Sequence, residues 1–390
     1  DLHRRHGVTA IWSHEETGNR ITYQRDQRVA RWAKEHQIPW NEISQNGVVR
    51  RLPSRDGWSK RREEFLSQPM AVPPNRIVHP VGVASEEIRT PRELELPKTN
   101  KVGLQQGGET RAEETLRSFL DQRGREYSSE MSSPVTAADS CSRLSTYLAW
   151  GCVSIKQIVG QLRDRQEQLR ERKAAGEPIG NWLKSLRSFE SRLSWHCHFM
   201  QKLEDEPSIE FQNMSRVYDG LREEEFDQNR FDAWCEGQTG YPMVDACMRA
   251  LHQHSWINFR MRAMLVSFAS YHLWLHWRPT AVYLAKHFLD FEPGIHFCQF
   301  QMQSGVTGIN TVRIYSPAKQ AQDQDPEGVF IKRWVPELAS VPTEFLAAPE
   351  TMPPLVQRSS GCVIGRDYPA PIVEHAKAYR EARDKVWALR

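Results

Sequence analysis

The stretch from Cys141 to Ser154 reads C-S-R-L-S-T-Y-L-A-W-G-C-V-S. Two serine hydroxyls, an arginine and the N–H groups of a starting helix meet within Ser142–Ser145, which is what holding a phosphate-like anion requires. Taken alone, the same residues also fit a plain serine N-cap. From Trp256 to Met264 the chain reads W-I-N-F-R-M-R-A-M, and the helical period continues to Trp274 and Trp277. That spacing puts Trp256, Phe259, Arg260 and Ala263 on one face, either an aromatic platform with a cation beside it or a patch of core. Between the two segments, Gly240-Tyr241-Pro242 makes a turn into a helix on which Asp245 and Arg249 stand one turn apart. Those two read as structural rather than chemical. Asp290 and Glu292 follow in F-L-D-F-E-P-G, the run from Phe288 to Gly294.

The elements that must position these residues are mainly helical. Helical periods run over 110–124, 142–151, 154–173, 182–203, 243–254, 258–277 and 280–289, without strand alternation of comparable length. Ahead of them, Asp1 to Gly7 reads as the tail of a helix, Val8 to Trp12 as a strand, Tyr23 to His36 as a helix and Ile38 to Ser44 as a second strand. This is the pattern of the last part of a parallel, Rossmann-like α/β unit with most of its earlier strands absent. A segment rich in Pro, Glu and Arg has no hydrophobic period and reads as a linker. The expected division is a partial α/β domain (1–72), a linker (73–105) and an all-helical domain (106–390), so the fold class is mainly α.

The 390 residues carry a net charge of only +3, so any nucleic-acid site must be a local basic patch rather than bulk charge. Thirteen tryptophans suit both ordinary cores and sites that stack on flat rings. Seven scattered cysteines with no C-x-x-C argue against a disulfide framework, a zinc ribbon or an iron–sulfur cluster. No metal is expected, and a reducing cytoplasm fits best. The chain has no apolar run of about 18 residues and no signal pattern, so neither membrane insertion nor secretion is expected.

In order and spacing, four segments resemble the photolyase/cryptochrome family, and the resemblance covers nearly the whole chain. The first, from Cys141, is similar to T-S-R-L-S-x-x-L-x-x-G-x-x-S. The second, W-C-E-G-Q-T-G-Y-P-M-V-D-A-C-M-R-A-L from Trp234 to Leu251, is the most specific match. The third is the Trp256 segment. The fourth runs from Phe288 through R-I-Y-S-P (Arg313–Pro317) to G-V-F-I-K-R-W-V-P-E-L (Gly328–Leu338). The resemblance implies FAD, with Cys141, Ser142, Arg143, Leu144 and Ser145 at its pyrophosphate. It further implies that Arg262 pairs with Asp290 beside the isoalloxazine, with Glu292 in place of a second aspartate. Tyr127, Phe189, Arg192, His196 and Phe259 are the remaining implied cofactor contacts. Trp256 would line the cavity, Arg260 and Arg313 would join it in facing DNA, and Trp277 would belong to an electron relay.

For activity, the resemblance implies a monomer that repairs UV-damaged DNA in the light, splitting cyclobutane pyrimidine dimers by electron transfer from FAD. The alternative is a cryptochrome-like blue-light photoreceptor without repair. Arg192 stands where the family commonly has an acidic lesion contact, and Phe259 replaces an asparagine. The outer and inner relay tryptophans fall near Glu224 and near His296 or Cys298, which leaves Trp277, with Trp274 or Tyr271 as possible substitutes. The paired histidines of (6-4) photolyases would fall at Phe259 and Ala263, so the cyclobutane dimer, which needs no proton donor, is the expected lesion. Any antenna chromophore stays unknown, because the family builds its site against the α/β domain.

Overall fold

The first helix, Leu2–His6, ends at Gly7, and strand pairing starts where the Ile11 N–H donates to the Pro39 carbonyl. The strand is therefore Ile11–His14, displaced from the Val8–Trp12 run read in the sequence. It pairs in parallel with Trp40–Ile43, Ile11 opposite Trp40 and His14 opposite Ile43. Helix Arg20–Glu35 crosses between them, started by Asn19, whose side chain accepts from the N–H groups of Ile21 and Thr22. The structure, a computed structural model, describes residues 1–78, 81–83, 87–96, 101–309 and 313–389. Parts of the expected linker (79–80, 84–86, 97–100) and positions 310–312 and 390 of the expected helical domain lie outside the described residues. Among the described residues these two strands are the whole of the sheet, and no helix is long and apolar enough to cross a membrane.

From Glu109 onward the apolar faces of the helices build two cores. One gathers Leu116, Phe119, Leu144, Ile158 and Leu162 around helices Glu109–Asp121 and Ile155–Ala174. The other gathers Trp234, Met248, Leu265, Trp277 and Ile331. Helix Trp182–Asp205 belongs to both: Phe189, Leu193 and Cys197 enter the first core, Phe199 and Leu203 the second. At about 1.5 Å per residue it is roughly 36 Å long, enough to span the seam. Helix Pro293–Ser304 crosses it closely, which Gly294 permits, since a Cβ there would lie 2.7 Å from the Met200 Cα. Buried Gln201 ties the amino-terminal unit to the same long helix, accepting from the Val49 N–H and donating to the Val49 carbonyl.

The period read as one helix over 258–277 is three pieces. Trp256 precedes the helix Phe259–Ser267, a π-helical turn Phe268–His272 follows, Trp274 takes a φ of 56°, and a new helix begins at Trp277 and ends at Ala285. Pro279 is the physical reason. It lacks an N–H and its ring strikes the carbonyl four residues back in a continuing helix, whereas the first turn of a new helix accommodates it. Trp256 therefore does not share a helical face with Phe259, Arg260 and Ala263. Nor do Trp274 and Trp277 share a helix.

The Gly240-Tyr241-Pro242 turn is held by a buried carboxylate. Asp245 accepts from the Thr239 N–H (2.8 Å) and hydroxyl (2.6 Å), the Gly240 N–H (3.1 Å) and the Tyr368 hydroxyl (2.5 Å). These donors replace the water that burial removes. Gly240, at a φ of 78°, presses on the Ala370 backbone, whose oxygen would lie 2.4 Å from a Cβ. Arg249 pairs with Glu337 at 2.8 Å, not with Asp245, and so joins helix Pro242–His254 to the following segments. Asp245→Ala leaves those donors without an acceptor and should cost about 3 kcal/mol, whereas Tyr368→Phe, which removes one donor, should cost about 1 kcal/mol. Urea unfolding of the two variants beside the parent checks the order. An unchanged midpoint for Asp245→Ala would remove this carboxylate from the account of the fold.

Candidate functional site

The Ser142–Ser145 motif stands at the seam between the cores. Arg143 has a φ of 61° and Leu144 returns to the right-handed region, the left-then-right backbone turn that aims successive N–H groups to one side; the Leu144 N–H donates to the Ser142 hydroxyl at 3.4 Å. A left-handed arginine costs about 1–2 kcal/mol. It is held from two sides: Gln105 donates to its carbonyl at 2.7 Å, and its guanidinium lies 3.8 Å from the Trp256 ring centroid. Arg123 fixes the approach, donating to the carbonyls of Cys141 (2.6 Å), Asp139 (2.7 Å) and Ser142 (3.3 Å) and to the Ser118 hydroxyl (2.8 Å). Sequence reasoning missed this residue, because nothing in its spacing announces that residues 139–142 fold back onto it.

Arg262 makes two parallel hydrogen bonds to Asp290, Nη1 to Oδ1 at 3.0 Å and Nη2 to Oδ2 at 2.9 Å. Its Nε donates to the Ile257 carbonyl at 2.8 Å, and its guanidinium lies 4.1 Å from the Phe288 ring. Burial pushes the Asp290 carboxyl up, but the charge and hydrogen bond of Arg262, aided by the Ser145 hydroxyl, outweigh it and hold the group below the usual carboxylate range. Glu292 behaves oppositely. Burial first, then the charges of Glu16 and Asp290, push it up to about 8, so it is mostly a neutral acid at pH 7. Cys141 sits among the guanidiniums of Arg143, Arg123, Arg262 and Arg192, yet burial pushes its thiol up to about 12 and it stays uncharged.

The other expected contacts fall around this centre. Tyr127 is buried edge-on to Phe119 (5.6 Å) and Phe189 (6.1 Å), and its phenol, hydrogen-bonded to Arg192, is pushed up to about 12 mainly by burial. Phe189 and Leu144 are core residues. Arg192 stands 5.6 Å over the half-exposed Phe259 ring. Arg260 is partly buried, with its Nε unpartnered. Three residues make their contacts elsewhere. Burial and the charge of Arg62 push His196 down to about 4, leaving a neutral ring. Arg313 is exposed, its carbonyl accepting from the Ser267 hydroxyl at 3.3 Å. Trp277 is fully buried, donating to Asn213 at 2.7 Å and meeting Phe297 at 6.4 Å.

FAD, the group that the resemblance implies, fits this donor set. Arg143, Arg123, Arg262 and Arg192 all act on Cys141, Arg262 holds Asp290 ionised, and the left-handed turn at Arg143 leading into the helix start is a backbone shape of the kind that takes an anion. A diphosphate supplies the missing negative charge.

Two outcomes are expected. Arg143→Ala should lower flavin affinity about ten- to a hundred-fold, the cost of losing a charge-assisted contact of about 1.5–3 kcal/mol. Flavin absorbance retained after gel filtration measures this, and occupancy equal to the parent's would remove the phosphate assignment. Because the Asp290 carboxyl is depressed in the folded chain, its stabilisation is complete above the ordinary carboxylate range and is lost as pH falls through the folded value. Melting followed from neutral pH downward should show that acid loss in the parent and a flatter acid limb in Asp290→Asn. Superimposable profiles would show that the pair does not carry it.

The sequence profile described as the FAD binding domain of DNA photolyase matches residues 189–388. A deoxyribodipyrimidine photo-lyase of Vibrio cholerae is 30% identical over 372 residues, 90% of this chain and 74% of that protein. A cryptochrome DASH of Gloeobacter violaceus is 31% identical over 291 residues, 72% of this chain and 55% of that protein, so the chain spans only about half of that relative. In fold, a bacterial class III photolyase from Agrobacterium tumefaciens superposes with a TM-score of 0.85 at 23% identity, over 100% of this chain and 81% of that one. The chain belongs to the photolyase/cryptochrome family, and the cofactor of its helical part is FAD.

Proposed function

We propose that the chain is a light-driven lyase that splits cyclobutane pyrimidine dimers in UV-damaged DNA, acting as a monomer. The observation that carries the reading is the Arg262–Asp290 pair set near Arg143 and its left-handed turn, with Trp256 stacked under Arg143. Likeness to the V. cholerae photolyase over most of the chain supports repair. FAD, when bound and reduced, supplies on excitation the electron that opens a cyclobutane dimer. The chain's own residues bind and orient. Arg143 and the N–H groups after it hold the diphosphate, Asp290 keeps Arg262 in place beside the ring system, and Trp256 offers a planar wall. Arg260 and Arg313 supply charge for DNA phosphates. A blue-light receptor without repair is the second reading, favoured by Arg192 and Phe259 at the lesion contacts. Blue light on protein reduced in advance, with a thymine-dimer oligonucleotide, separates the two: turnover supports the lyase, and none supports the receptor.

The route by which oxidised flavin draws an electron through the protein runs by Trp277 in this reading. Asn213 accepts from its indole N–H at 2.7 Å, which favours positive charge on an oxidised ring. Trp274 is the worse donor, because Arg222 and Lys385 lie 4.5 and 4.6 Å from its ring and both repel such a charge. Trp277→Phe should slow flavin photoreduction at least several-fold and spare repair by pre-reduced protein, while Trp274→Phe should change photoreduction little. Transient absorption on both variants decides. Loss of repair in folded, flavin-loaded Trp277→Phe would show that the two activities share a route.

A further inference from the structure

Both ends of the short helix Ser145–Ala149 bear on Asp290. Ser145 opens the helix, and its hydroxyl is bonded to the Asp290 carboxylate. Trp150 closes it, and its indole N–H donates to the Leu289 carbonyl at 2.8 Å. That carbonyl belongs to the peptide unit whose other end is the Asp290 N–H, which is itself bonded to the Asp290 carboxylate. On the second core's side, the Leu289 N–H donates to the Ser255 carbonyl at 3.0 Å. We infer that Trp150 is a positioning residue of the flavin site, its indole N–H clipping the Leu289–Asp290 peptide across the seam and so setting the carboxylate against Arg262. The inference deepens the functional reading and rests on its placement of Asp290 beside the flavin ring system.

Trp150 is 70% exposed, so burial does not account for its place. It also falls at a position that the motif from Cys141 leaves open, so the clip is a feature of this chain and not of the motif. An amide whose oxygen accepts a hydrogen bond becomes a better donor at its N–H, because linked bonds polarise one another. The indole, the Leu289–Asp290 peptide and the carboxylate form such a chain. Holding the carbonyl also fixes the plane of a peptide that ends at the Asp290 Cα. Arg262 takes its own bearing from the same connector, its Nε donating to the Ile257 carbonyl two residues after Ser255. Without the indole N–H the plane can turn, which weakens the bond from the Asp290 N–H and loosens the two-bond match with Arg262.

The test follows melting against pH, and the absorption of the bound flavin, in the flavin-loaded parent, Trp150→Phe, Asp290→Asn and the double variant. Trp150→Phe keeps an aromatic ring and removes the donor. The other charged and titratable groups around Asp290, namely Arg262, Arg143, Glu292 and His296, are the same in all four proteins. Asp290 is depressed in the folded chain, so a lost clip raises its folded value and the acid loss of stability begins at higher pH, by about half a unit for one hydrogen bond. In the Asp290→Asn background the same substitution should leave the acid limb in place. A loss of packing alone lowers melting alike at every pH and in both backgrounds. The flavin absorption of Trp150→Phe should shift in the same direction as that of Asp290→Asn, and by less. An acid limb that stays in place, or moves alike in both backgrounds, overturns the clip whatever the flavin shows. A limb that moves only where Asp290 is present, with flavin absorption unchanged in Trp150→Phe and Asp290→Asn alike, supports the clip and overturns the placement of Asp290 beside the ring system.

Discussion

Guanidiniums gathered at one place need an anion, and the seam between the two helical cores brings together more of them than it has ionised acids to match. Arg123, Arg143, Arg192 and Arg262 all act on Cys141, while Glu292 is pushed toward its neutral form and Asp290 is held ionised. Like charges held this close repel one another until an anion answers them. The fold answers part of it locally, with carbonyls around Arg123, the Trp256 ring against Arg143 and the carboxylate bonded twice to Arg262. The remaining positive potential is a specification for a polyanionic ligand, and the neighbouring N–H groups give it a shape. Much of the surrounding architecture serves to keep these groups at that spacing.

The spacing comes from elements far apart in the chain. Arg143 and Arg123 belong with the first core, Arg262 and Asp290 with the second, and close packing at Gly294 locks the helix after Asp290 onto the one shared rod. The amino-terminal unit reaches the same region through Gln201 and Val49, and its Glu16 is among the charges that raise Glu292. A site assembled at a seam can be tuned from either side, and here one tuning charge arrives from a third unit.

How much of this was legible follows from how local each signal is. The anion motif could be read because its hydroxyls, arginine and helix start lie within a few residues. The pairing of Arg262 with Asp290 came through family resemblance, and the structure supplies its geometry. The break after Ser267 was hidden because the apolar period runs on through Phe268, Tyr271 and Leu275, all buried, so only Pro279 signalled the interruption. Arg123 and the contact between Arg192 and Phe259 were illegible for another reason. Each is a tertiary meeting of residues that no periodicity links.

Helix Trp182–Asp205 has one further consequence. A chain with two hydrophobic cores can melt in two steps when each core keeps its own elements, but here both draw on a single continuous rod. Losing either core strips the apolar contacts from half of that helix, and an isolated helical half of about 12 residues is marginal in water. The cores are therefore bound into one cooperative unit, with its weakest plane at the seam that they share. Whatever fills that plane acts as a keystone: it favours the folded ensemble over every partly open one, so holding the cofactor and holding the fold become the same thermodynamic event.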